Sequence, residues 1–215
     1  MALHIDVPVL QGSLVRLEPL SVHHADQLAL GVDEDRSSYS FTWVPSRSEV
    51  REYIQAQHER ADSGKLIPFA QIRLSDEQAV GCTAYWDPRC WPGTSDPCAV
   101  EIGWTWLIAS AQHSGINREA KLLLLTHAFE RWRVARVDLK TDARNEQSRR
   151  AIAGIGAQFE GVLRSWSPSW TPGEEGKLRD SAMFSIVAAE WPDKKAALTR
   201  KLRWRKMPSG EISAT

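Results

Sequence analysis

The chain has 215 residues, with 27 Lys plus Arg against 27 Asp plus Glu, so no bulk charge draws it to nucleic acid or to an anionic membrane surface. That length can bury a substantial core as one domain, and no Gly/Ser- or Pro-rich linker divides it. No stretch, including the N-terminal MALHIDVPVLQG, approaches the run of roughly 18 apolar residues that a membrane span needs, which points to a cytoplasmic protein. Cys82, Cys90 and Cys98 suit neither a disulfide framework nor the close pairs of a zinc site, and His23-His24 lacks a matching ligand pair. Reduced thiols and no metal are expected.

Residues 14–18 alternate apolar and polar, as in a strand with one buried face, and Pro19 stops it. Ser21 is a plausible N-cap for a helix over 22–30. Ser46-Arg47-Ser48-Glu49 is a capping box opening a second helix to about Ala61, before Gly64. Residues 67–74, 79–86 and 98–107 read as three strands of an antiparallel meander. Next comes a helix starting near Arg118, whose Ala120, Leu122 to Leu125, Ala128, Phe129 and Trp132 cover most of its circumference, as in a helix packed broadly on a sheet. A strand over 134–141 follows. Asn145 then caps a helix that Gly156 ends. Strands over 158–164 and 181–188 flank a Trp-, Pro- and Gly-rich stretch at 165–176. Residues 1–192 make one domain, and 193–215 a basic C-terminal helix and tail.

The turn before the long helix carries the clearest chemical signal. Residues 101–121 read EIGWTWLIASAQHSGINREAK, a strand running through Gln112-His113-Ser114-Gly115-Ile116-Asn117 into a helix. The first backbone N–H groups of a helix lack internal partners, and the aligned peptide dipoles make that end partly positive. A phosphate fits there. Gly115 lets the backbone bend tightly and approach a ligand, while Ser114 and Asn117 can add donors.

The element order β-α-α-β-β-β-α-β-α-β-β, with this turn after the fourth strand, resembles the GCN5-related N-acetyltransferases (GNAT). That superfamily binds acetyl-CoA at Gln/Arg-x-x-Gly-x-Gly/Ala, which Gln112 to Asn117 matches except at its last position. The chain looks most like the RimJ/RimL type over roughly 10–202. The supporting phrases are LVRLEPL, VEIGWTWL, NREAKLLLLTHAFE, KTDARNEQSRRAIAGIGAQFEGVLR and RDSAMFSIVAAEWP. The resemblance implies an α/β (α+β) GNAT fold with a mixed, mostly antiparallel sheet of about seven strands flanked by helices. It also implies an acetyl-CoA donor, no metal, and an amine acceptor, first of all a protein N-terminus such as that of a ribosomal protein. A homodimer is compatible with it.

On that resemblance, coenzyme A would be held by Gln112, His113, Ser114, Gly115, Ile116 and Asn117, with Asn145 and Ser148 near the pantetheine and thiol. Backbone amides at Trp106, Leu107 and Ile108 would face the acyl oxygen where the central strand splays from its neighbour. Glu101 is the expected base and Ser148 the donor to the departing thiolate, because no tyrosine lies beyond Tyr85. A protein α-amine, with a pKa of about 7.7 to 8.0, is already partly neutral near pH 7.5, so a modest base suffices. Each residue also has a plain structural reading: Glu101 as a salt-bridge partner, Asn145 as an ordinary N-cap, Ser148 as a first-turn helix residue.

Trp43, Trp86, Trp91, Trp166 and Trp170 fall in or beside predicted loops, where they either line an acceptor cleft or pack the sheet rim. The basic run from Lys194 to Lys206 reads as a solvated helix face before an RNA contact. Acetylation of a small-molecule amine, such as an antibiotic or polyamine, is the second enzymatic reading. An acyl-CoA-binding or interaction module without transfer is the reading from another class.

Overall fold

The computed structural model describes residues 7–91 and 97–206, with side chains to 203. Its elements run β1 (Leu10–Gln11), β2 (Val15–Pro19), α1 (Ala25–Gly31), α2 (Val50–Asp62), β3 (Leu66–Arg73), β4 (Gln78–Arg89) and β5 (Ala99–Leu107). After these come α3 (Ile116–Glu130), β6 (Arg136–Asp142), α4 (Glu146–Gly154), β7 (Gln158–Pro168), β8 (Leu178–Val187) and α5 (Trp191–Lys206). One eight-stranded sheet has the order β1-β2-β3-β4-β5-β6-β8-β7. Every neighbouring pair is antiparallel except β5 and β6.

The mixed, mostly antiparallel α/β fold is the one the element order implied, with eight strands instead of about seven. The additional strand is β1, whose Leu10 and Gln11 pair with Leu17 and Arg16. Two residues are too few to show an alternation. The β7–β8 hairpin also reaches further than its composition suggested, because Ser167 pairs with Arg179 and Pro168 with Leu178. The connecting loop therefore shrinks to 169–177. Exposed Trp, Ser and Pro on an edge strand look like loop in sequence.

Helices cover both faces of the sheet. The α2 side is marked by Tyr53, whose hydroxyl accepts the Trp106 indole N–H at 3.2 Å. The α3 side is marked by Tyr85, which donates to the Leu124 carbonyl at 2.6 Å. The α3 side chains of Leu124, Leu125 and Ala128 are completely buried. Helix α5 then packs on α3 through the Phe129–Trp191 ring stack, with centroids 5.2 Å apart, and buries Leu198. Cys82 and Cys90 are free thiols. No helix among the described residues is long and apolar enough to cross a membrane.

The start of α3 is fixed by Glu119. Its carboxylate accepts the backbone N–H groups of Ser13, Leu14 and Val15 at 2.9, 2.5 and 3.0 Å, and the Ser13 hydroxyl at 2.6 Å. Burial by itself would raise this carboxyl, but the four donors hold it below its ordinary value. Glu119→Ala should therefore lower the unfolding free energy at pH 7 by about 2 to 3 kcal/mol, as for hydrogen bonds to a charged group. The difference from wild type should shrink as pH falls through the depressed Glu119 value, where the native carboxylate protonates. Urea titrations across pH measure both.

Candidate active site

The sheet opens in its middle. Strands β5 and β6 share only the rungs Ala99–Arg136, Val100–Val137 and Glu101–Asp138, although β5 continues to Leu107 and β6 to Asp142. Beyond Glu101 the two parallel strands diverge. Parallel strands carry their C-terminal ends to the same sheet edge, so the helices that follow, α3 and α4, both begin at the mouth of this gap. That is where open α/β sheets hold ligands.

On the α3 side of the mouth, Gly115 adopts φ +100° and His113 φ +58°, left-handed conformations that turn the chain sharply into the helix. Among the described residues, the N–H groups of His113, Ser114, Gly115, Asn117 and Arg118 make no hydrogen bond. The Ile116 N–H donates to Ser114 Oγ at 3.2 Å. Five amides without a partner stand at the positive end of a 15-residue helix, an arrangement that could hold an anion. The side chains behave otherwise than the sequence suggested. Ser114 donates its hydroxyl to Ala111 O at 2.6 Å, and Gln112 donates to Ser38 Oγ at 2.8 Å and Leu107 O at 3.0 Å. Both brace the loop, leaving the main chain as the donor. Asn117 keeps its Oδ1 buried, without a partner among the described residues.

On the α4 side, Asn145 caps the helix by accepting the Ser148 N–H at 2.9 Å. Its side-chain carbonyl is committed to that cap, and only its amide nitrogen is left for another partner. Ser148 sits in the first turn, half-buried.

Of the three strand-end amides expected to face the gap, Ile108 is excluded, because its N–H donates to Val80 O at 2.9 Å across β4. Backbone groups alternate sides along a strand, so Trp106 also addresses β4 and Leu107 points the other way. The Leu107 carbonyl follows this direction, accepting Tyr39 Oη at 2.7 Å and Gln112 Nε2 at 3.0 Å. Tyr39 thus brings a phenol to the lip of the gap, from a segment with no periodic signal in the sequence.

Glu101 occupies the last shared rung. Its carboxylate accepts Lys140 Nζ at 2.7 Å, and both side chains are largely buried. Burial pushes the Glu101 carboxyl up, with the Lys140 ammonium partly opposing. A β-carbon added at Gly103 would lie 2.8 Å from Glu101 Oε1, so the glycine leaves room for that carboxylate. The next residue, Trp104, has φ +51° and the β4–β5 register shifts between Cys82 and Ala84. This bulge sends Gly103 and Trp104 to the same, α2-side face, where Arg60 of α2 stacks 4.8 Å over Trp104. Thr105 points to the opposite face, where the buried Lys121 donates to it at 2.6 Å and to Thr83 Oγ1 at 3.1 Å. Burial lowers the Lys121 ammonium to about 7.

Around Glu101 the α2-side face carries a connected aromatic wall. Trp86 meets Trp104 at 5.8 Å, Trp104 meets Trp170 at 6.3 Å, Trp170 meets Trp43 at 6.4 Å, and Trp43 meets Tyr53 at 5.5 Å. Trp43, Trp86 and Trp170 therefore join one surface, whereas Trp166 lies exposed on β7. Sequence reasoning misses Trp104 because a bulge, not a loop, exposes it. Arg144 pairs with Asp142 and Glu174, each at 2.8 Å, while stacking 5.0 Å over Phe41. No group of three or more His, Cys, Asp or Glu able to hold a metal is present among the described residues.

Residues 15–158 match the acetyltransferase (GNAT) domain. A GCN5-related N-acetyltransferase from Brucella melitensis superposes with TM-score 0.81 and 24% identity, over 96% of this chain and 90% of that one. A structure from T. thermophilus assigned to the acetyltransferases superposes with TM-score 0.76 and 30% identity, over 92% and 99%. RimL, a ribosomal L7/L12 α-N-protein acetyltransferase in complex with coenzyme A, superposes with TM-score 0.64 and 19% identity, over 84% and 98%. No curated protein matches. The domain match over most of the chain, with a relative at 30% identity along nearly all of it, places this protein in the GNAT family as an N-acetyltransferase.

Proposed function

We propose that the chain transfers an acetyl group from acetyl-CoA to a protein N-terminal α-amino group by direct attack in a ternary complex. The observation that carries this reading is the break between β5 and β6 immediately after Glu101, flanked by two helix N-termini. The donor supplies an acetyl thioester. Its diphosphate would rest on the amides of His113, Ser114, Gly115, Asn117 and Arg118, which fit an anion without a cationic side chain. Asn145 and the Leu107 main chain would align the pantetheine in the gap.

Glu101 would take the amine proton through water, because it lies on the face opposite α3, at the point where the strands part. The ion pair with Lys140 opposes the rise that burial imposes on its carboxyl, and the net rise makes it a stronger base than an exposed carboxylate. Ser148 would donate a hydrogen bond to the departing sulfur. A terminal α-amine suits so mild a base, since much of it is neutral near pH 7.5. The likeness to RimL, whose substrate is ribosomal L7/L12, supports a ribosomal-protein N-terminus as the acceptor. Holding amine and thioester in contact is the larger contribution, on the order of 7 to 11 kcal/mol for well-oriented groups.

Glu101→Gln should reduce kcat/KM about 100-fold near pH 7. The deficit should narrow at high pH, where the acceptor is already deprotonated. Wild-type activity should fall as pH drops through the Glu101 value, which burial raises. A loss that is the same at every pH would leave Glu101 only its structural role. Gly115→Trp forces a side chain onto a left-handed backbone beside the amides, so calorimetry should find CoA binding weakened by about tenfold or more. Unchanged affinity would remove the anion site.

A further inference from the structure

Strand β8 places Arg179, Ser181, Met183 and Ser185 at alternate positions, hence on one face. It is the face of Glu101, because Met183 pairs with Lys140, the ammonium that Glu101 binds, and Ser181 pairs with Asp142. Two other guanidiniums on this face have carboxylate partners. Arg136 binds Asp138 and Glu160, both at 2.5 Å, and Arg144 binds Asp142 and Glu174.

Arg179 is different. It is partly buried, and burial lowers its proton affinity while the fields of Asp142 and Glu101 oppose that change. Yet among the described residues no carboxylate lies within 4.0 Å of it. Its Nε donates to Ser167 Oγ at 3.0 Å, which fixes the plane of the guanidinium, and its two terminal nitrogens have no acceptor among the described residues. The acidic neighbours are already engaged: Asp142 takes three donors from Arg144, and Glu101 takes Lys140. Beside it on the strand, Ser181 is fully buried and its hydroxyl has no partner among the described residues.

A guanidinium partly withdrawn from water without a counter-ion is an unfavourable arrangement that an arriving carboxylate relieves, with two parallel N–H···O bonds. We infer that Arg179 receives a carboxylate of the acceptor, so that favoured acceptors are amines carrying an acidic group close to the reacting nitrogen. A protein N-terminus with Asp or Glu as its second residue has that form. A free amino acid offers the same chemistry through its α-carboxylate. The inference rests on the acetyl transfer proposed above and adds the substrate class. Arg179 is a specificity residue in it and moves no proton.

C-terminally amidated peptides beginning Ser-Asp, Ser-Asn and Ser-Lys, together with free glutamate, form the test. Each is measured for binding by calorimetry to CoA-saturated protein and for turnover with acetyl-CoA. Ser-Asp should bind about tenfold or more tightly than Ser-Asn, with the difference in KM and not in kcat. Arg179→Gln should erase the preference, and Arg179→Lys should restore only part of it, since lysine lacks the planar fork. Free glutamate binding more tightly than Ser-Asp in an Arg179-dependent way would support the carboxylate site with a small acceptor as its source. Equal binding of Ser-Asp and Ser-Asn to wild type would overturn the inference, as would an acid preference that survives Arg179→Gln. Loss of CoA affinity in Arg179→Gln, with peptide preference intact, would also overturn it. If Ser-Asp binds selectively but no peptide or amino acid is acetylated, the Arg179 site stands and the transfer reading fails.

Discussion

Three rungs of parallel pairing between β5 and β6, ending at Glu101 and Asp138, set the arrangement of everything else. Had the ladder continued, the β5 backbone beyond Glu101 would be saturated by β6 and no ligand could lie between the strands. Because it stops, one stretch of main chain is left with groups facing a gap, and the two helices that follow the strands aim their N-termini at its mouth. The divergence needs support from both sides. Glu119 clamps the first turn of α3 to β2, while Gln112 and Tyr39 occupy the Leu107 carbonyl.

Charge around the gap is sorted by face. On the α3 side Lys121 is buried among threonine hydroxyls with its ammonium weakened to about 7. On the α2 side Arg136, Asp138, Lys140 and Asp142 alternate in charge along β6, and each has an oppositely charged partner. Such matching matters because an unpartnered buried charge costs far more than a pair contributes. It also makes the exception informative, since among the described guanidiniums of β6, β8 and their junction Arg179 alone faces the cleft without an anion. Tryptophans from β4, β5 and two loops adjoin this polar floor, giving a surface with aromatic walls and a charged base.

Much of this was legible in the sequence, and the boundary of legibility has physical causes. Gly115 before an apolar-periodic helix announced the tight turn into α3, since few residues other than glycine adopt φ near +100°. The capping signals at Ser46 and Asn145 likewise read correctly, being local hydrogen bonds. Register was not readable. The bulge at Trp104, the end of the β5–β6 ladder and the assignment of Ile108 to β4 depend on partners far away in the chain. For the same reason Ser114 and Gln112, which look like ligand donors as letters, turn out to donate to Ala111 and Ser38. Lys140 and Arg179 fall in phrases that carried the resemblance but signalled no chemistry of their own, and only the folded sheet shows them on the face of Glu101.

The most direct measurement is a titration of the isotopically labelled protein with coenzyme A, read by backbone amide NMR. The account predicts that the amide signals of His113, Ser114, Gly115, Asn117 and Arg118 shift together with Leu107, saturating at one affinity. Saturable binding that leaves those six amides unmoved, or that shifts amides on another part of the sheet instead, would contradict it.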